Sequence, residues 1–157
     1  MFKNLINKFS IFKKKIFYKK NSYSFGGVDL LVNYLFKKIN KGTYIDVGAQ
    51  NPVSNNNTYL LYKRGWNGIN IDLDLKNIEL FNLTRNTDIN ICAALSSSTN
   101  EVNLYFYHEK SSINTIEKKI ANLHEAKFKE IKKIKTITIN AVVENAKLNK
   151  INYLNID

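Results

Sequence analysis

The chain is poor in residues that build disulfide or metal sites. It has one cysteine in 157 residues, Cys92, which excludes an intramolecular disulfide and any zinc cluster built on thiolates. Cys92 sits in the apolar run INICAAL, a setting that predicts a buried, inert thiol. The two histidines, His108 and His124, are flanked by Glu109 and Glu125. Adjacent residues point apart on a strand or helix, so no metal site is expected. No apolar stretch approaches the ~20 residues of a membrane span. Lysines interrupt the N-terminal apolar residues, which excludes a signal-peptide core, and a cytoplasmic location is expected. No Pro- or Gly-rich linker and no internal repeat divides the chain, and no acidic residue precedes Asp29.

What is present is unevenly placed. The hydrophobic fraction of 44% and the charged fraction of 24% are ordinary for a globular protein, and the length suits one domain with a single core. The net charge is +11. Seven lysines, Lys3, Lys8, Lys13, Lys14, Lys15, Lys19 and Lys20, lie in the first twenty positions, so the rest of the chain is only mildly basic. That distribution argues against nucleic-acid binding by the folded body. Residues 1–22 read as a basic extension and 23–157 as the domain. Within the extension Phe2, Leu5, Ile6, Phe9, Phe12, Ile16 and Phe17 recur at three- and four-residue steps, an amphipathic helix pattern. Two readings stay open: a helix packed across the domain edge, or an interfacial helix lying on anionic lipid at the inner face of a membrane.

Beyond Gly27 the periodicity switches repeatedly. Val28–Ile39 reads as helix, Thr43–Val47 as strand, Asn57–Arg64 as helix, Trp66–Asp72 as strand and Asn77–Arg85 as helix. Asp88–Leu95 reads as a third buried strand, and VNLYFY (102–107) as a strand hairpinned back after the polar turn SSSTN. An exposed helix over Ile116–Ile131, a strand over Lys135–Asn140, a short helix over Ala141–Ala146 and a final strand over Ile151–Asp157 complete the pattern. Strands alternating with helices predict an α/β fold on a parallel sheet.

The chemistry concentrates in GTYIDVGAQNP, Gly42 to Pro52, and GINIDLD, Gly68 to Asp74. The first is a strand that ends on Asp46 and Val47 and runs into Gly48, which can take a positive φ and allow close backbone approach. The next helix begins near Asn55 to Thr58, so its N-terminal amides face the same crevice and suit a carboxylate. Asp72 tips the second strand about two dozen residues on, where an acid accepts hydrogen bonds from ribose hydroxyls. By spacing alone Asp46 and Asp72 read equally as strand-end caps, because the three-glycine dinucleotide fingerprint is missing.

GTYIDVGAQNPVSNNNTYLLYKRGWNGINIDLD resembles the opening of the FkbM-type family of S-adenosylmethionine-dependent methyltransferases. Its members read strand-D-V-G-A-H-x-P, then S-N-T-x-x-x-x-x-x-G-W-x-G-x-x-I-[DE]. The similarity is close from Tyr44 to Asp72 and looser through DINICAALSSSTNEVNLYFY and SSIN, Ser111 to Asn114. INYLNID is similar to the family's fourth strand, which finishes K-I-D-V-E-G or S-V-D-V-E-G, and SFGGVDLLVNYLF is similar to its S-Q-x-G-E-D helix start.

The resemblance implies a Rossmann-like class I methyltransferase fold, incomplete after the fourth core strand, behind an N-terminal amphipathic helix. It implies a truncated member, because the family's Glu-Gly would follow Asp157. Asp46, Gly48 and Ala49 would cradle the methionine end of S-adenosylmethionine. Asp72 would hold the ribose, and the Cys92–Ala94 backbone, centred on Ala93, would border the adenine. Asp157 would face the transferred methyl and position or deprotonate an acceptor hydroxyl. Gln50 stands where the family has histidine, and Phe25 and Val28 stand where it has Gln and Glu. The implied function is methyl transfer to a hydroxyl of a small-molecule, sugar or glycan-type acceptor, without metal. The alternatives are a catalytically inactive fragment or a small basic membrane-surface protein using residues 2–20.

Overall fold

The computed structural model describes residues 22–124 and 127–157; the helix expected over residues 2–20 lies outside them. A short 3-10 turn, Phe25–Gly27, leads into α1 (Val28–Leu35), followed by β1 (Thr43–Val47), α2 (Tyr59–Lys63), β2 (Asn67–Asp72), α3 (Leu75–Thr84) and β3 (Ile89–Cys92). Then come β4 (Ala94–Leu95), β5 (Glu101–Phe106), α4 (Lys118–Leu123), β6 (Glu130–Ile137), α5 (Ile139–Asn145) and β7 (Tyr153–Ile156). Four strands form a parallel sheet in the order β3-β2-β1-β7, and β4-β6-β5 form a second, mixed sheet. The fold is thus α/β with a mostly parallel main sheet, consistent with a Rossmann-like methyltransferase fold.

Four readings of the second half need correction. The strand expected over Asp88–Leu95 is two strands in different sheets. The β2–β3 ladder ends at Asp72↔Cys92, the Ala93 N–H turns back to Asp72 O at 3.1 Å, and Ala94 and Leu95 pair with β6 instead. The 102–107 strand does not hairpin onto its predecessor; β5 pairs antiparallel with β6, Glu101 opposite Lys135. The helix expected over Ile116–Ile131 shrinks to α4, because the stretch from Glu130 is extended and finds its partner in β5. Ile139 and Asn140 belong to α5, whose N-cap Thr138 accepts from Ala141 N at 3.1 Å and so ends the strand early.

The parallel sheet has one dry face and one polar face, set by the two-residue period of its strands. Ile45, Val47, Ile69 and Ile71 pack on Val142 of α5. On the opposite face Tyr44, with Val32 of α1, Leu61 and Trp66, forms a second buried cluster. The Tyr44 ring covers Gly68 so closely that an added Cβ would sit 2.0 Å from its Cε2, so only glycine fits there. Arg64 closes the end of α1 and the turn after it by donating to Asn33, Phe36 and Ile39 main-chain oxygens. Asp29 is buried and accepts from Ser22 Oγ, Tyr23 N and Ser24 Oγ, tying the approach to α1. Among the described residues no helix is long and apolar enough to cross a membrane.

Candidate functional site

The site lies at the carboxyl ends of β1, β2 and β7, where open α/β sheets bind ligands. Gly48 leaves β1 with φ 72°, and the Gly48 and Ala49 N–H groups both donate to Ile71 O, at 2.9 and 3.2 Å. The loop therefore stays tied to β2 after β1 has ended. Gln50 follows at φ 48°, and this left-handed backbone turns its N–H onto Asp72 Oδ2 at 2.9 Å. Asp72 Oδ1 accepts from Asp74 N at 2.8 Å and Asn77 Nδ2 at 3.0 Å. Burial pushes the Asp72 carboxyl up, while these three donors pull it down.

Two adjoining clefts of 220 and 330 Å³ share Gly48, Asp72, Leu73, Asn114 and Asp157 in their walls. Together they reach the size range of small-molecule sites. Gln50, Asn55, Ser111 and Ser112 line the smaller cleft; Ile71, Ala93, Leu95 and Ile156 line the larger, more apolar one. The far wall belongs to the 107–115 loop. Asn114 holds it by accepting from Tyr107 N at 2.9 Å and donating to His108 O at 3.1 Å, and Lys110 N donates to Asp74 Oδ2.

Asp157 follows β7, with its N–H on Val47 O at 3.1 Å. Its main-chain oxygen would lie 2.9 Å from a Cβ at position 48. Gly48 is therefore required twice over, by its left-handed φ and by the closeness of the β7 end.

Of the six residues singled out from sequence, Gly48, Asp72, Ala93 and Asp157 line the clefts, and Asp46 and Ala49 line neither. Asp46 lies behind the loop, fully buried, and accepts from Thr58 Oγ1 at 2.7 Å, Asn56 Nδ2 at 3.1 Å and Asn155 Nδ2 at 2.9 Å. Burial pushes its carboxyl up, against Thr58, the Arg85 guanidinium and the two asparagines. Cys92 is another correction: it is exposed rather than buried. It sits at a third cleft beyond Leu73, with Phe106 and Lys132. Partial burial, then Asp72 and Asp74, push its thiol up, so it stays protonated at neutral pH.

Sequence reasoning missed the assembly that holds the loop. Arg85 is 0% exposed. It donates to Pro52 O from Nε and Nη2 at 2.9 and 2.7 Å, to Asn56 Oδ1 at 2.6 Å and to Thr58 Oγ1 at 2.8 Å. Its guanidinium also lies over the rings of Tyr59, Tyr62 and Phe81. Asp88 accepts from Tyr44 Oη, Gly68 N and Asn70 Nδ2. Asn155, Asp46, Asn70 and Asn90 stand in register across all four strands. Asn155 Nδ2 reaches both Asp46 Oδ1 and, at 3.2 Å, Asp157 Oδ2. A signal for this row was available: interior parallel strands read as continuous apolar runs, and Asp46, Asn70 and Asn155 interrupt them.

The arrangement is a cleft with a side-chain-free floor at Gly48, a carboxylate on each side and an apolar end at Ala93 and Leu95. It can hold a polar ligand by hydroxyl groups at Asp72 and a flat apolar group beyond it. The family model of the methyltransferase FkbM domain matches residues 46–157, from the buried Asp46 to the cleft-lining Asp157. No curated protein and no solved structure matches the chain.

Proposed function

We propose, for a chain that belongs to the FkbM methyltransferase family, that the cleft binds S-adenosylmethionine and carries out cytoplasmic methyl transfer to a hydroxyl of a sugar or glycan-type acceptor. The observation that carries this reading is the meeting of Gly48, Asp72 and Asp157 in the walls of one cleft. The residues fit the cofactor: a Cβ at position 48 would fill the space beside Asp157, and Asp72 Oδ2 takes one protein hydrogen bond where Oδ1 takes two. Asp72 would accept from the ribose, the Gly48–Gln50 backbone would face the amino-acid end, and Ala93 would border the base.

S-adenosylmethionine brings a methyl group already activated on a positive sulfur. The protein's share is then positioning and proton handling. Asp157 holds the acceptor hydroxyl in line and takes its proton on a carboxylate oxygen, and Asn155 fixes that carboxylate through Nδ2. Asp46 works from behind, joining the loop residues Asn56 and Thr58 to β1 and β7.

Calorimetric titration of the chain with S-adenosylhomocysteine tests the reading. Saturable one-site binding that Asp72→Ala abolishes is the expected result. An absence of binding heat, or equal binding by Asp72→Ala, rejects it.

A further inference from the structure

Helix α1 shows apolar side chains on nearly every side. Val32 is buried inward with Leu61 and Trp66. On an ideal helix Leu30, Leu31, Tyr34 and Leu35 fill an arc of about 140° that faces away from Val32. All four are exposed, as are Phe25 and Val28 just ahead of them; Phe25 is 86%, Leu31 59% and Leu35 65% exposed. A surface helix ordinarily turns charged residues outward, and a contiguous apolar patch of this kind marks an interaction site.

The exposed charges next to it in the chain are of one sign. The exposed Lys37, Lys38 and Lys41 follow α1 directly, and Lys37 Nζ lies 4.3 Å above the Tyr34 ring. Four carboxylates occur before Glu79, and all four (Asp29, Asp46, Asp72 and Asp74) are buried. Over that half of the chain no described carboxylate reaches the surface. The 21 residues that precede Ser22 hold seven lysines, an apolar stripe and no acid.

The geometry points to the outward face of α1, with Lys37, Lys38 and Lys41, as a docking surface for an anionic lipid bilayer. Apolar and aromatic side chains enter the headgroup boundary while flanking lysines meet the anionic headgroups. A nucleic acid would match the lysines and leave Leu30, Leu31 and Leu35 unserved. This inference is independent of the cofactor assignment and stands or falls separately from it.

Vesicle flotation with the full chain tests it, using phosphatidylcholine vesicles and vesicles with about one-third phosphatidylglycerol. The chain floats with the anionic vesicles and little with the neutral ones, and raising the salt releases it. Leu31→Glu/Leu35→Glu, at exposed positions where circular dichroism should stay unchanged, lowers the bound fraction by about tenfold or more. Lys37→Glu/Lys38→Glu weakens binding selectively to the anionic vesicles. Equal flotation of the leucine variant overturns the proposal, as does equal binding to both vesicle types. A dimer in sedimentation velocity that Leu31→Glu/Leu35→Glu dissociates, without vesicle binding by the parent chain, also overturns it and assigns the face to a second copy.

Discussion

On one face of the parallel sheet Ile45, Val47, Ile69 and Ile71 pack on Val142 among further apolar side chains. One residue along the same strands, Tyr44, Asp46 and Asn70 meet Arg85, Thr58 and Asp88 through hydrogen bonds. The dry face stabilises by area and tolerates imprecision, because dispersion and burial are non-directional. The polar face is directional. Its donors need acceptors at set places, and those that Arg85 finds at Pro52 and Asn56 tie down the β1–α2 loop that carries Gly48 to Asn55. The loop of the site is fixed from the polar face, while the dry face holds the sheet together by area and lends Val47 and Ile71 to the larger cleft.

Removing the cation should have the largest effect. Arg85→Met strips the loop of bonds to Pro52, Asn56 and Thr58 and leaves Asp46 and Asp88 without a buried counter-charge. Urea denaturation should show a loss of about 3–5 kcal/mol, and S-adenosylhomocysteine binding should be lost with it. On the dry face Ile45→Ala should cost about 2–4 kcal/mol. Its remaining folded protein should bind S-adenosylhomocysteine within about twofold of the parent, because Ile45 lines neither cleft and fixes no part of the loop. Weaker binding there would erase the distinction between the faces.

Asp46→Asn separates charge from shape. Asp46 accepts at both oxygens, from Asn155 Nδ2 at Oδ1 and from Asn56 Nδ2 and Thr58 Oγ1 at Oδ2. An amide in that place sets a donor against a donor, so denaturation should report a loss of about 1–3 kcal/mol. Asp72→Asn acts on ligand affinity as well as on the loop, because its amide would face either the Gln50 N–H or the Asp74 and Asn77 donors. Burial raises the Asp72 carboxyl, and ribose hydroxyls favour its ionised form. Affinity should therefore fall as pH drops through a midpoint above the ordinary value of about 3.9. Calorimetry across pH should show this dependence in the parent chain and its absence in Asp72→Asn, with affinity about tenfold or more lower.

The parallel half of the fold was legible because its signals are local. Thr43–Val47 announces β1 by β-branched residues running into glycine, and the GW-to-acid segment places β2 and Asp72 at once. The second half was less legible because partner choice decided it. EIKKIKTI spaces its isoleucines three apart, as a helix would, and pairing with β5 makes it a strand. DINICAAL looks like one strand until the β2 ladder runs out at Asp72. In the site, Gly48, Asp72, Ala93 and Asp157 could be named from pattern and resemblance, whereas Arg85 at the end of a helix carries no local sign of its destination. Its role depends on Pro52, Asn56 and Thr58, about thirty residues away in the chain.

The most direct measurement is amide chemical-shift mapping of the labelled chain titrated with S-adenosylhomocysteine. The largest shifts should gather at Gly48–Gln50, Asp72–Asp74 and Ala93 at the carboxyl ends of β1, β2 and β3, with the Val142 face quiet. Shifts centred away from the ends of β1 and β2, or none at saturating ligand, would contradict the claim that Gly48 and Asp72 form one nucleoside site.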